Sequence, residues 1–422
     1  MSSAHTDRSL ALSYALLTAL AYFGFPIIAL VPTLLGVPSR PISAAYRVIV
    51  LAGSLGYAWS AGRRRLDMLA GPVIWPLALL AALLLLRLLW DSYGAALPLD
   101  LSWDVFWMEM FALALIPAVP FVYVPDRSAV ILARRMCMGF GAVSVVALAI
   151  GAVYSAGHAL AGAGRLSTDV INPITVGEVG ASLFIVCLAH RPPTAKSSFS
   201  GLLAGARIVG GLLGTALCLL TASKGPLLGL MLAALVMLLQ RLSRLSNRRR
   251  ALETAFAACL VGALLAGAAL LAQTGLLLIY SRFSDIASDQ STALRLQAWD
   301  GALGQFDAAP LWGSSAVELS TRFYPHNLVV EVMMATGVFG LLLLLLLLTM
   351  AGAASWRILR TAPQYSWIAL LFLQQLVSSM LSGSAYFGGQ FWISMAILLG
   401  IRQMIRGRPE SALVPDGRGV EI

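Results

Sequence analysis

The sequence predicts an all-α, polytopic integral membrane protein of about twelve transmembrane helices. Three observations carry that prediction. Of 422 residues, 59% are hydrophobic and only 11% are charged, against roughly 25% charged in a soluble domain, and mean hydropathy is +0.84. The apolar residues come in runs close to the roughly 20 that a helix needs to cross a bilayer. Between the runs, arginines gather at alternate connections. An ordinary cytosolic protein and a disordered chain are excluded by this composition, and the 38 Gly and 19 Pro follow no collagen-like or low-complexity period.

The spans are placed, in order, at 11–33, 43–61, 70–90, 105–124, 138–157, 174–190, 207–222, 226–240, 251–274, 327–350, 363–382 and 390–405. Met1 to Arg8 is short and polar, so the first apolar stretch reads as a span and not as a cleavable signal. Gly210 with Gly214, and Gly225 with Gly229, are small-xxx-small pairs that favour close helix packing. With the N-terminus in the cytoplasm, 21 of the 29 Lys and Arg fall on the cytoplasmic side and seven on the other, which fits an even number of spans. The net charge of +10 is read as this cytoplasmic excess; no basic run is interleaved with aromatics, so no nucleic-acid partner is expected. Cys137, Cys187, Cys218 and Cys259 each lie in an apolar run without CxxC spacing and read as small buried hydrophobes.

The seven minority cations are Arg40, Arg47, Arg165, Lys224, Arg282, Arg295 and Arg322, with Arg87 near the outer end of the third span. Ionisable groups close to hydrocarbon are candidates for function. Most connections are short, but residues 275–325 form one large outer loop, and loops of that length usually carry function. From Ser291 to Phe306 the apolar residues recur at helical spacing, with Arg295 on the face of Trp299. This segment reads as a helix lying on the membrane surface. The loop ends in Tyr324-Pro325-His326-Asn327. His326 is thereby held at the mouth of the next span, which Asn327 caps, with Glu331 one turn inside.

The chain has no HExxH, no GxxxxGK[ST], no Asp-x-Asp and no GxSxG, so neither a metal site nor a cofactor is expected. Arg and Lys can clamp a diphosphate without a metal. A neutral histidine can take a proton from a hydroxyl near pH 7. His326 with Arg295 and Lys224 is thus a sufficient set for glycosyl transfer from a lipid diphosphate to a hydroxyl.

Four segments then resemble the O-antigen ligase and polymerase superfamily of bacterial envelope enzymes. They are Gly164-Arg165-Leu166-Ser167 with Asn172-Pro173; Thr221-Ala222-Ser223-Lys224-Gly225; Arg295 to Trp299 with Pro310 to Gly313; and His326-Asn327 with Glu331 and Gly337. Lys224 stands where the pattern commonly has Arg, and Thr168 where it often has Gly. The resemblance implies an inverting, metal-independent glycosyltransferase on a GT-C-like helical fold. It implies O-antigen polysaccharide on undecaprenyl diphosphate as donor and a sugar hydroxyl of lipid A–core as acceptor. By position, His326 matches the essential histidine and base, and Arg295 and Lys224 match cations facing the diphosphate. Arg165 and Arg87 are further candidates there, with Arg282, Arg322, Asn327 and Glu331 as accessory residues. The expected organisation is nine spans in 1–274, a periplasmic loop with surface helices in 275–325, and three spans with a cytoplasmic tail in 326–422. The location implied is the bacterial inner membrane, with the active site facing the periplasm and both termini cytoplasmic. The single large loop favours a ligase over a polymerase; a pilin O-oligosaccharyltransferase of the same superfamily and a twelve-helix solute transporter are the alternatives.

Overall fold

The computed structural model describes residues 2–62, 74–95, 97, 102–112, 114–163, 166–189, 198–243 and 290–406. No strand occurs among them; one isolated bridge joins Glu318 to Phe323. The helices are α1 (Ser2–Leu35), α2 (Ser39–Gly62), α3 (Ile74–Leu89), α4 (Trp103–Ala112), α5 (Leu115–Ala118), α6 (Arg127–Ala163), α7 (Pro173–Leu188), α8 (Ser198–Leu220), α9 (Lys224–Leu242), α10 (Gln290–Ala308), α11 (Leu328–Thr361), α12 (Ser366–Leu381) and α13 (Gly389–Arg406). Among the described residues, eight helical segments are long and apolar enough to cross a membrane, and α7 is a shorter apolar helix. Eleven of the twelve expected spans coincide with helix; the ninth, 251–274, lies outside the described residues. The division at 221–223, between α8 and α9, is where the sequence places it.

Departures from the expected spans have local causes. The fourth is not one helix: α4 stops at Ala112, and α5 passes into a 3-10 turn at Val119–Val122. Pro117 and Pro120 remove two donors there. In α1, Pro26 leaves the Tyr22 carbonyl without its helical donor. Gln390 of α13 donates to that carbonyl at 3.2 Å, which is how a kinked helix is repaired where water is scarce. At α7, Asn172 caps the start by accepting from the Thr175 N–H, and Pro173 occupies the first turn. At the other end, Arg134 donates to the Val186 and Ala189 carbonyls and Arg207 to those of Cys187 and Ala189. Cations at a helix C-terminus satisfy its orphan acceptors. The small residues of α7 and α8 bring these helices into backbone contact: a methyl at Gly214 would lie 2.5 Å from the Gly180 carbonyl oxygen.

The largest departure is in α11. The tenth span was expected to run unbroken from 327 to 350, yet at Gly337 the backbone leaves the helix, with φ 65° and ψ −158°. That region is essentially open to glycine alone. The turn Pro310–Gly313 fills the break. The Val338 N–H donates to the Pro310 carbonyl at 2.8 Å, and the Ser314 N–H to the Met334 carbonyl at 2.9 Å. The first half-helix, carrying Glu331, is thus pinned to the loop that follows α10.

Gly337→Ala forces a side chain into this backbone region and into the Leu311 carbonyl, 2.3 Å away. The backbone strain alone costs about 1–3 kcal/mol. Gly352→Ala, in the same helix with open space around it, is neutral or stabilising by up to about 1 kcal/mol. Thermal unfolding of the two variants in detergent separates them: G337A melts well below wild type and G352A does not.

Candidate active site around His326

His326 sits in a turn whose backbone is left-handed, φ 58°. A non-glycine residue there is uncommon, and the turn holds it by contacts on all sides. The Trp299 indole donates to the Pro325 carbonyl at 2.7 Å, tying α10 to the turn. Asn327 accepts from the Val329 and Val330 N–H groups, capping α11 as expected, and donates to the Met380 carbonyl at 3.0 Å. The imidazole packs on Tyr324, 4.4 Å between ring centroids, and on Phe323 at 5.4 Å. The Ser382 backbone lies close enough to act on the ring, while Nδ1 is shielded from solvent and has no partner. Glu331, fully buried, accepts from the Ser384 hydroxyl at 2.7 Å and the Ala385 N–H at 2.5 Å. The turn after α12 supplies both of these partners.

The last turn of α12 brings Lys224 to the same place. Lys224 opens α9 behind Ala222, the second strained residue, with φ 47°. Next to it, Gly225 faces α12, where a methyl would be in van der Waals contact with Ser378 Oγ at 3.6 Å. Residues 378–385 therefore border both the Lys224 turn and the His326 turn. The segment after Arg165 joins them: the Leu166 N–H donates to the Leu220 carbonyl at 3.0 Å. Thr168, the departure from the Gly of the pattern, closes its own turn by accepting from the Val170 and Ile171 N–H groups. Arg165 and Arg282 lie outside the described residues.

Arg87 was a candidate to face a substrate diphosphate, with packing against Asp91 or Trp90 as the other reading, and its donors all lie on groups of the protein. Nε donates to the Ala335 carbonyl, Nη1 to Ser314 and Asp91, and Nη2 to Trp312 and Gly313. Asp91, buried in the π-helical turn Trp90–Gly94 that ends α3, accepts from the Ala316 N–H at 2.6 Å. Arg87 is a clamp on the loop that fills the α11 break. Arg322 is exposed on the turn between Glu318 and Phe323, with φ 55°. Glu318 in that turn is held below the usual carboxylate range: burial would raise it, but donors from Thr321 and Ser320 outweigh burial.

Two further groups lie around the site with partners that the sequence does not supply. Tyr324 is one; its hydroxyl is pushed up by burial and by the charges of Glu331, Glu109 and Glu178, with Arg295 acting the other way. The other is Glu109, whose partner is Arg47, in a buried ion pair between α2 and α4. Spacing could not have shown either, because the partners come from distant elements. Arg295, half-buried on α10, lies close enough to His326 for its charge to act on the ring. The imidazole is held below the usual histidine value, by burial first and Arg295 second, against the Ser382 contact. Among the described residues, no three His, Cys, Asp or Glu side chains are grouped as a metal site.

Residues 209–345 match the family model described as O-antigen ligase. This match, over about a third of the chain, supports membership of the O-antigen ligase superfamily. The match spans α8 to the middle of α11 and contains Lys224, Arg295, His326 and Glu331, whereas Arg87 and Arg165 fall outside it. No curated protein matches the chain.

The shift at His326 gives a measurable sign. A depressed imidazole stays neutral at pH 7 and gains its proton only below about 6.5, the ordinary histidine value. Arg295→Ala removes a positive neighbour, so protonation becomes easier and the titration moves up toward that value. The pH dependence of diethyl pyrocarbonate modification, with His326→Gln as blank, reads both positions.

Proposed function

We propose that the chain is a glycosyltransferase that moves O-antigen polysaccharide from undecaprenyl diphosphate to a sugar hydroxyl of lipid A–core, completing lipopolysaccharide. The observation that carries this reading is the neutral, strained His326 with an uncommitted Nδ1, set beside Arg295 and across the end of α12 from Lys224.

In this reading the acceptor hydroxyl gives its proton to the His326 imidazole as its oxygen attacks the anomeric carbon. The bond from that carbon to the diphosphate oxygen breaks, and the electron pair leaves with the diphosphate. Attack opposite the leaving group inverts the anomeric centre. Negative charge grows on the diphosphate, where Arg295 and Lys224 oppose it, with Arg165, Arg282 and Arg322 as further candidates from the sequence. One well-placed charge-stabilising donor is typically worth about 3–4 kcal/mol, and a general base roughly a hundred- to ten-thousandfold. No step requires a metal. The site faces the periplasm from the inner membrane, with both termini cytoplasmic, because the minority cations then share the side of His326.

His326→Ala leaves the protein in the membrane at normal abundance and lowers transfer by at least a hundredfold. Lipopolysaccharide profiles of a ligase-deficient strain carrying the variant check this, and smooth lipopolysaccharide at wild-type levels refutes it. Purified protein given lipid-linked donor with lipid A–core and free repeat units in competition extends the former and not the latter; elongation of repeat units instead makes it a polymerase. EDTA leaves the rate unchanged.

A further inference from the structure

Three carboxylates act on the Tyr324 hydroxyl: Glu331, Glu109 and Glu178. Two are spoken for. Glu331 uses both oxygens on Ser384 and Ala385, and Glu109 is paired with Arg47. Glu178 differs. Its Oε1 accepts from the Ser378 hydroxyl at 2.5 Å. Its Oε2 has no hydrogen bond among the described residues, the side chain is only half-buried, and it forms no ion pair with them.

Its position is between the two halves of the site. Ser378 lies one helical turn, about 5–6 Å along the α12 axis, from Ser382, whose backbone acts on the His326 ring, and close to Met380, whose carbonyl accepts from Asn327. On the other side, a methyl at Gly177 would lie 2.9 Å from Thr221 Oγ1 and 2.9 Å from the Pro226 side chain, the two residues that flank the Lys224 turn. Glu178 thus stands beside both the imidazole turn and the cationic turn.

A carboxylate acceptor there cannot face a diphosphate, because like charges repel at short range and more so in a low dielectric. Its open oxygen suits a neutral donor, and a sugar offers several hydroxyls. We propose that Glu178 is a saccharide-binding residue, with Oε2 accepting a hydrogen bond from a hydroxyl of the sugar that reacts at His326. Resting on the glycosyl-transfer reading above, it divides the site: cations take the diphosphate, and Glu178 binds the sugar ring. The hydroxyl belongs either to the acceptor or to the first sugar of the donor; the recognition chemistry is the same, and kinetics separate the two.

The test uses the full chain in lipid nanodiscs, with undecaprenyl diphosphate lacking any sugar as the binding probe. The kinetic substrates are lipid-linked donor and lipid A–core. Glu178→Gln keeps shape and one acceptor but replaces a charge-assisted hydrogen bond with a neutral one. It is expected to bind undecaprenyl diphosphate within twofold of wild type and to keep kcat within about threefold. It raises KM for one sugar substrate, and not the other, by about tenfold, or about 1.4 kcal/mol. Which KM rises identifies the sugar. Glu178→Asp keeps the charge but draws it back by one methylene, so it raises the same KM, and it serves if the Gln variant does not fold. The proposal is overturned if both KM values stay at wild type, if both rise together with a fall in thermal stability, or if kcat collapses and the acid limb of the pH profile disappears. Failure of the wild-type protein to bind undecaprenyl diphosphate defeats the glycosyl-transfer reading and this inference with it. Normal binding with unmoved KM values defeats this inference alone.

Discussion

The arrangement around His326 depends on a broken helix being made whole by a loop. Where α11 leaves helical geometry at Gly337, buried backbone groups lose their helical partners. The Pro310–Gly313 turn restores them, and the Arg87 guanidinium gathers the Ala335 carbonyl and three carbonyls of the loop. Asp91 completes this by binding Arg87 and the Ala316 N–H at once. A buried cation is costly unless every donor is used, and here every donor is. The half-helix of Leu328–Thr336, the loop and the end of α3 therefore hold one geometry together, and the His326 turn sits at its edge.

On that frame the charges are sorted by role. Arg87, Arg134 and Arg207 are spent on backbone carbonyls. Arg47 is spent on a carboxylate. Arg295 acts on the imidazole from α10, and that helix is tied to the turn through the Trp299 indole. A cation beside a histidine keeps the ring neutral, which suits a base. The same cation suits an anionic leaving group, so one side chain serves both demands of the proposed reaction.

Much of the helical framework was legible in the sequence, because apolar run length and arginine clustering are direct consequences of a bilayer. Asn172-Pro173 and Asn327 were readable as helix starts, since a cap acts over three residues of local chain. The association of Arg295 with Trp299 on one face of α10 was readable from helical period. His326 stood out by its place at the end of the longest connection. The role of Arg87 was not legible, because its position near the hydrocarbon edge says that it needs partners without saying whether they are phosphates, the Asp91 carboxylate or carbonyls. The pairing of Glu331 was missed for a related reason: its partners come from Ser384 and Ala385, 53 and 54 residues away.

By itself, then, the sequence determined that the chain is helical and apolar enough to live in a membrane, where most helices begin and end, and which residue types could handle a diphosphate and a proton. These are properties of composition and of interactions a few residues apart. Only the tertiary structure decided the break at Gly337, the left-handed backbone of Ala222 and His326, and the meeting of α7, α9 and α11 at the last turn of α12. Those depend on which carbonyls lack donors and which side chains from remote segments can reach them. That balance is set by packing across the whole bundle and leaves no local pattern to read.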